Sequence, residues 1–279
     1  MGGDGPAGAG GAAPDAARLA ALGPLAVLLE RPGASAVVTD FDGTLAPIVA
    51  DPEQAVALPG VPALLGTLAA HFAVVAVVSG RPAAFLAERL AAAGPAVRLF
   101  GVYGLEWVED GEVRRAPAVE QWRDPARAVV VAARAHFAGE DVWVEDKGAS
   151  VTVHWRRAPD AGDRAWEFAR HWAQRTGLLL QPGRMAVEFR PPVDIDKGVV
   201  VEKLATGCAA ACFAGDDAGD LAAFAALDRL AVTGTRGVRL AVADEESPPE
   251  LIAAADVVVS GPDQAVALLA LVADGVSAP

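Results

Sequence analysis

A chain of 279 residues, 53% of them apolar, can build one large domain or two modest ones around a substantial core. Its net charge of −13 argues against nucleic acid and anionic membrane as partners. Cys208 and Cys212, the only cysteines, form no C-x-x-C pair, which argues against a disulfide framework, and both are expected to be buried structural thiols.

Residues 1–15 are rich in Gly and Ala and read as a disordered tail without the basic start and apolar centre of a signal peptide. No apolar run reaches membrane-spanning length without Gly, Pro or charge, so the expectation is a soluble, cytoplasmic protein. Helical spacing runs from Ala16 to Leu29 and breaks at Arg31-Pro32-Gly33. Next, the apolar strand Ala36 to Thr39 runs into Asp40-Phe41-Asp42-Gly43. Side chains alternate along a strand, so two carboxylates two residues apart point the same way, and Gly43 lets the chain turn out of the strand. Like charges this close repel unless a cation sits between them or one is protonated.

A helix from Pro59 to His71 leads to a second continuous apolar strand, Phe72 to Val78, which ends in Ser79-Gly80-Arg81-Pro82. Ala83 to Ala93 is the next helix and Val97 to Val102 the third strand. From about Glu109 the texture changes. Asp141 to Trp155 alternates like an exposed antiparallel strand, Ala165 to Thr176 is an amphipathic helix, and Leu178 to Leu180 and Met185 to Phe189 are further strands. Residues 112–188 carry 12 Lys and Arg against 11 Asp and Glu, a net of +1, which leaves −14 on the rest. This stretch also holds five of the six tryptophans. The rhythm of strand and helix then resumes: a helix from Lys197 to Ala205, a strand from Ala210 to Ala214, and a helix from Leu221 to Leu227. Short strands at Arg229 to Thr233, Val238 to Val242 and Asp256 to Val259 and a helix from Pro262 to Val272 close the chain. The pattern predicts an α/β fold: a doubly wound, mostly parallel sheet interrupted by a smaller α+β unit. The expected division is 1–15 tail, 16–110 first core part, 111–189 insertion and 190–279 second core part.

Asp40 and Asp42, Ser79, Lys197, and the group Asp216, Asp217 and Asp220 all fall at carboxyl ends of strands or at helix starts. A doubly wound sheet gathers such ends at one crevice. Five carboxylates there suit Mg²⁺, which takes oxygen ligands. Mg²⁺ and Lys197 would neutralise a phosphate that Ser79 and backbone amides hydrogen-bond. Asp40 would attack phosphorus, and Asp42 would move the proton. The chain has only three lysines, and a cation at a helix start opposes the helix dipole unless an anion is near.

DFDGTL, SGR, DKG and GDDAGD, in this order, resemble the four motifs of haloacid dehalogenase-like phosphohydrolases. More narrowly, DFDGTLAPI, SGRP, GVYGLEW, EDKGASVTVHWR, VEFRPPVDIDKG and GDDAGDLAAF resemble trehalose-6-phosphate phosphatases, over roughly residues 35 to 275. The resemblance implies Mg²⁺ held by Asp40, Asp42 and Asp216, with Asp217 and Asp220 supporting them. Asp40 would be the nucleophile, Asp42 the acid and base, and Ser79 and Lys197 the groups that hold the phosphate. It implies an α+β cap inserted between the second and third motifs, and substrate contacts from Gly80, Arg81, Glu145, Lys147 and Glu188. His154 and Trp155 read instead as a structural pair packing the cap. On spacing alone, Glu145 and Lys147 fit a surface ion pair as well as a sugar contact.

Two departures stand out. Tyr103 occupies a position where the family usually has histidine, and Gly219 and Leu221 replace the usual Thr and Glu. A small sugar phosphate is the implied partner, with a trehalose-6-phosphate synthase beside it in trehalose biosynthesis, and the chain is expected to be a monomer. Phosphatases of sucrose 6-phosphate or mannosyl-3-phosphoglycerate share the same core logic. A silent sugar-phosphate-binding domain is the alternative of another class, against which Asp40, Asp42, Lys197 and Asp216 all count.

Overall fold

Continuous apolar runs build the centre of the molecule. A computed structural model describes residues 16–49, 51–245 and 247–277; the expected tail, residues 1–15, lies outside them. Helix α1 (Ala16–Leu22) tightens into a 3₁₀ turn from Gly23 to Leu29. Strand β1 (Ser35–Thr39), helix α2 (Val61–Ala69), strand β2 (Val74–Val78), helix α3 (Ala83–Arg89) and strand β3 (Arg98–Gly101) follow. Every residue of β1 and β2 is buried, as in sheets covered on both faces.

The chain then turns back on itself. Strands β4 (Glu106–Glu109) and β5 (Glu112–Arg115) form an antiparallel hairpin on the edge of the same sheet. The insertion expected to begin at residue 111 would start inside this hairpin; the chain instead leaves the large sheet after Arg115. Beyond it lie helix α4 (Arg123–His136), strands β6 (Trp143–Asp146) and β7 (Val151–His154), helix α5 (Gly162–Thr176), and strands β8 (Leu179–Gly183) and β9 (Ala186–Arg190). The four strands make a separate antiparallel sheet in the order β6-β7-β9-β8.

The return path is helix α6 (Lys197–Ala205), strand β10 (Ala210–Gly215), helix α7 (Leu221–Val232), strand β11 (Arg236–Ala243), helix α8 (Pro249–Ala254), strand β12 (Val257–Ser260) and helix α9 (Gly261–Ser277). The large sheet therefore runs β12-β11-β10-β1-β2-β3-β4-β5, parallel from β12 to β3. Its two faces divide by strand parity. Val37, Val75 and Cys212 pack with Leu65, Leu86 and Leu269, whereas Ala36, Val38 and Phe213 pack with Val201, Phe224 and Leu227.

Two expectations fail here for physical reasons. Arg229 to Thr233 is not a strand: Ala223, Phe224, Ala226, Leu227 and Leu230 share one buried helical stripe, so α7 continues to Val232. Cys212 is fully buried, with its thiol pKa pushed up to about 12 by desolvation, but Cys208, in the turn between α6 and β10, is only half-buried. Among the described residues no helix is long and apolar enough to cross a membrane.

Candidate active site

Strand order reverses between β1 and β10, so their carboxyl ends lie side by side and the first motif meets the last. The Asp40 amide donates to the Ala214 carbonyl at 2.8 Å, which carries the β1–β10 ladder one residue past the strand. Gly43 completes the approach. Its φ is +71°, and a β-carbon there would lie 2.2 Å from the Asp216 carboxylate, so only glycine lets the loop pass.

Asp40, Asp216 and Asp220 each offer an oxygen within 4.8 Å of the others, and all three are buried. Their surroundings differ. Asp220 is fully engaged: one oxygen accepts the Asp216 and Asp217 amides at 2.9 and 3.1 Å, the other the Lys197 ammonium at 2.6 Å. Asp40 accepts the Phe41 amide at 2.6 Å and faces Lys197 at 2.8 Å. The Asp216 carboxylate meets a cation only at 3.4 Å, the guanidinium of Arg184. Asp220 thus holds Lys197 and the β10 turn, while Asp40 and Asp216 face the cavity.

One ammonium cannot balance three buried carboxylates. Burial pushes Asp40 up to about 6 even though Lys197 pulls it down. Burial and their acidic neighbours push Asp216 and Asp220 well above the usual carboxylate range. Burial would lower Lys197, but Asp220 and Asp40 outweigh it and drive its pKa well up, so the lysine stays charged. Hard oxygen donors with surplus negative charge fit a divalent cation such as Mg²⁺ between Asp40 and Asp216.

Asp42 lies apart from this cluster. Arg81 grips its carboxylate with two bonds, Nε–Oδ2 at 2.6 Å and Nη2–Oδ1 at 2.8 Å. The same guanidinium reaches Glu145 of the small sheet at 3.6 Å. Ser79 is buried on the turn after β2, accepts the Arg81 amide at 3.2 Å and lines the cavity beside Gly80. The residues of the four motifs therefore converge: Asp40, Asp42, Ser79, Lys197, Asp216 and Asp217 line one cavity, with Asp220 behind Lys197.

The small sheet closes the other side. Its apolar face, with Val144, Val153, Val187 and Phe189, packs under α4 and α5. Its other face carries two cross-strand rows, Gln181–Glu188–Thr152–Glu145 and Gly183–Ala186–His154–Trp143, all lining the same cavity of about 220 Å³. The alternation read in the sequence is correct, yet the polar face is buried rather than exposed: Glu145, Lys147, Thr152 and Glu188 are all under 10% accessible. Lys147 stands 3.2 Å from Glu188 and 3.7 Å from Glu145. Against a burial that would raise it, Lys147, His154 and Arg81 hold Glu145 at about 2. Burial opposes the charge on Lys147, but Glu145 and Glu188 raise its pKa.

His154 corrects the structural reading of the His154–Trp155 pair. Neighbours on a strand face opposite ways, so Trp155 enters the core while His154 points into the cavity, 3.1 Å from Glu145. Thr152 has a buried hydroxyl without a hydrogen-bond partner. Sequence reasoning passed over it, as it passed over Trp143 and Arg184. Arg184, on the β8–β9 turn, also bonds the Asp216 carbonyl at 3.2 Å and Asp244 at 2.7 Å, so the small unit inserts a cation beside the carboxylate cluster.

This arrangement has counterparts. A trehalose-phosphatase family model matches residues 38–251. The trehalose-phosphate phosphatase of Mycobacterium marinum (strain ATCC BAA-535 / M) is 34% identical over 86% of this chain and 61% of its own length. That of Mycobacterium avium (strain 104) is 37% identical over 69% of this chain and 51% of its own, so the chain spans only part of these relatives. The C-terminal domain of C. albicans trehalose-6-phosphate phosphatase superposes with a TM-score of 0.72 at 20% identity, covering 95% of this chain and 99% of that one. With the family model covering both the carboxylate cluster and the polar face opposite it, the chain belongs to the trehalose-phosphatase family.

Proposed function

We propose that the chain is a Mg²⁺-dependent phosphatase that splits trehalose 6-phosphate into trehalose and phosphate through an aspartyl-phosphate on Asp40. The observation that carries this reading is the single cavity, lined on one side by Asp40, Ser79, Lys197 and Asp216 and on the other by Glu145, Lys147 and Glu188. One wall suits a phosphate and the other a sugar, because carboxylates accept from hydroxyls and an ammonium donates to them. Asp40 and Asp216 are the residues that would hold Mg²⁺, which when bound neutralises phosphate oxygens and keeps Asp40 ionised.

The chain's own groups account for the rest. Lys197, fixed by Asp220, sits against Asp40 and would meet the incoming phosphate with a positive charge. Ser79 and Arg81 would bind its other oxygens. An arriving phosphate competes for the Arg81 guanidinium and so frees the Asp42 carboxylate to take part. Asp40 attacks phosphorus and the P–O bond to the sugar breaks. Asp42, once released from Arg81, takes up a proton from solvent and gives it to the leaving oxygen; it then takes one from the water that attacks phosphorus, phosphate leaves, and Asp40 is restored. The small unit acts as a cap whose polar face reads the sugar and excludes water when shut. In this reading the enzyme works on a soluble metabolite of trehalose synthesis.

Phosphate release across trehalose 6-phosphate, sucrose 6-phosphate, mannosyl-3-phosphoglycerate and p-nitrophenyl phosphate tests the substrate. The highest kcat/KM belongs to trehalose 6-phosphate. Losing a hydrogen bond to a buried charged group costs about 1.5–3 kcal/mol, so Glu188→Ala and Lys147→Ala should cut that value roughly ten- to a hundredfold. The same changes cost far less on p-nitrophenyl phosphate, which has no sugar to lose. Equal losses on both substrates would overturn the sugar assignment.

A further inference from the structure

Tyr103, where this chain departs from the usual histidine, touches both halves of the cavity. It follows β3 on the large sheet, yet its hydroxyl donates to Glu188 Oε2 on β9 at 2.7 Å. Glu188 Oε1 takes the bonds of Lys147 and Ser150 at 3.2 and 3.1 Å, so the phenol alone orients the other oxygen. The ring is clamped from the small unit as well, with the Arg190 guanidinium 4.2 Å from its centroid.

On the other side Tyr103 is tied to the phosphate loop. Its amide donates to the Ser79 carbonyl at 2.9 Å, and the preceding Val102 amide to the Arg81 carbonyl at 2.8 Å. A β-carbon on Gly80 would stand 2.8 Å from the phenol oxygen, so the loop and the tyrosine fit each other closely. Val102 and Tyr103 both hold positive φ, +47° and +59°, a costly pair for residues with side chains. Such strain persists only where surrounding contacts fix it, and here those contacts are the Ser79–Arg81 loop and Glu188. Burial and the adjacent Glu188 carboxylate keep the phenol pKa well above its ordinary value, which leaves Tyr103 a donor.

We propose that Tyr103 is a positioning residue that fastens Glu188 to the Ser79–Gly80–Arg81 loop, so that the sugar-reading carboxylate is aimed only when the cap is shut over the phosphate site. The inference rests on Glu188 being a sugar contact, and it assigns the tyrosine at this departure a share of substrate selectivity. It acts through Glu188 rather than on the reacting atoms.

Tyr103→Phe removes the hydroxyl and keeps the ring. The expected result is a roughly ten- to hundredfold loss of kcat/KM on trehalose 6-phosphate, chiefly in KM, and at least tenfold more than the loss on p-nitrophenyl phosphate. Tyr103→Phe combined with Glu188→Ala should be no worse than Glu188→Ala alone, because residues acting as one unit are not additive. Amide hydrogen exchange over residues 191–196, where the chain passes from cap to core, should quicken in Tyr103→Phe without any substrate. Losses equal on both substrates, additive losses in the double variant, or wild-type exchange over this segment would each overturn the proposal. If the wild-type protein releases no phosphate from trehalose 6-phosphate, the substrate assignment fails by itself and the exchange measurement still decides on Tyr103. Should Tyr103→Phe not fold, Glu188→Ala removes the acceptor from the cap side and carries the exchange test.

Discussion

Lys197→Met would expose what the buried cluster costs. The lysine is 2% accessible, and its ammonium lies 2.8 Å from Asp40 and 2.6 Å from Asp220. Met keeps most of the stem's volume, so the packing term is small and the loss is that of the charge. Removing one partner of a buried ion pair typically costs about 3–5 kcal/mol, because the remaining charge is left without compensation. The sign of the pH dependence follows from the carboxylates. Asp40 titrates at about 6, and Asp216 and Asp220 lie above their usual range. A protonated carboxyl needs no counter-ion, so the deficit should be largest at pH 8 and shrink as the pH falls through 6 towards 4. Urea unfolding of metal-free wild type and variant at pH 8, 6 and 4 measures this directly. Added Mg²⁺ should recover part of the deficit at pH 8 and none of the catalysis that the lysine supports. A variant as stable as wild type at pH 8, or a deficit that does not change with pH, would refute the argument that Lys197 exists to balance these carboxylates.

Asp40→Asn should abolish phosphate release, since an amide forms no acyl-phosphate. Because burial already favours the neutral form of Asp40, a thermal melt of the metal-free variant should be no lower than that of wild type. Removing divalent metal with chelator should stop turnover, and restoring Mg²⁺ at about a hundredfold over its Kd should stabilise the protein by about 2.7 kcal/mol, seen as a rise of several degrees in Tm. Full turnover in excess chelator contradicts the metal assignment. Glu145 sits at about 2 rather than its ordinary 4.5, so its contribution to stability is present above pH 4.5 and disappears as the pH falls towards 2. At about 1.4 kcal/mol per unit, that is about 3 kcal/mol, and the gap between wild type and Glu145→Gln in urea unfolding should close over that window. A gap independent of pH would show that Glu145 is not held as an ion.

Much of this was legible in the sequence because it is local. Apolar runs such as Val74–Val78 announce strands covered on both faces, and the motif residues stand at the ends of those runs. The alternation along β6 and β7 was legible too, but not that its polar face is buried: Trp143 and Thr152 were passed over and His154 was read as packing, because the wall that covers them lies on the large sheet. What escaped is set by contacts distant in sequence. The hairpin Glu106–Arg115 joins the large sheet through pairing with β3, which its own charged residues do not advertise. Helix α4 is rich in Arg and Ala, and its buried stripe of Ala126, Val129, Val130 and Ala133 gains meaning only against the small sheet. Asp42 lines the same cavity as Asp40, but its bidentate partner Arg81, 39 residues away, could not be read from the strand.

In the proposed reaction, Arg184 would tie cap closure and chemistry to one balance of charge. The core wall concentrates Asp40, Asp216, Asp217 and Asp220 around a single lysine. The β8–β9 turn adds a guanidinium 3.4 Å from Asp216, and burial of that arginine is outweighed by Asp216 and Asp244, which keep it charged. In the proposed reaction a divalent cation on Asp40 and Asp216 brings two positive charges, and a phosphate monoester brings about two negative ones. Bound together they leave the sum at the site nearly unchanged; bound alone, either would shift it by two. A cation without phosphate would repel Arg184 from Asp216 and favour an open cap. Phosphate arriving with the cation would restore an anion for Arg184 to face and let the cap shut. In that proposed reaction, substrate entry and cap closure would be linked by Coulomb interactions, which are strongest where closure removes water. Arg184→Gln should weaken that link: KM for trehalose 6-phosphate should rise several-fold, and the Mg²⁺ concentration for half-maximal stabilisation should fall. A variant with both values unchanged would separate Arg184 from the charge balance and leave it a hinge contact to Asp244.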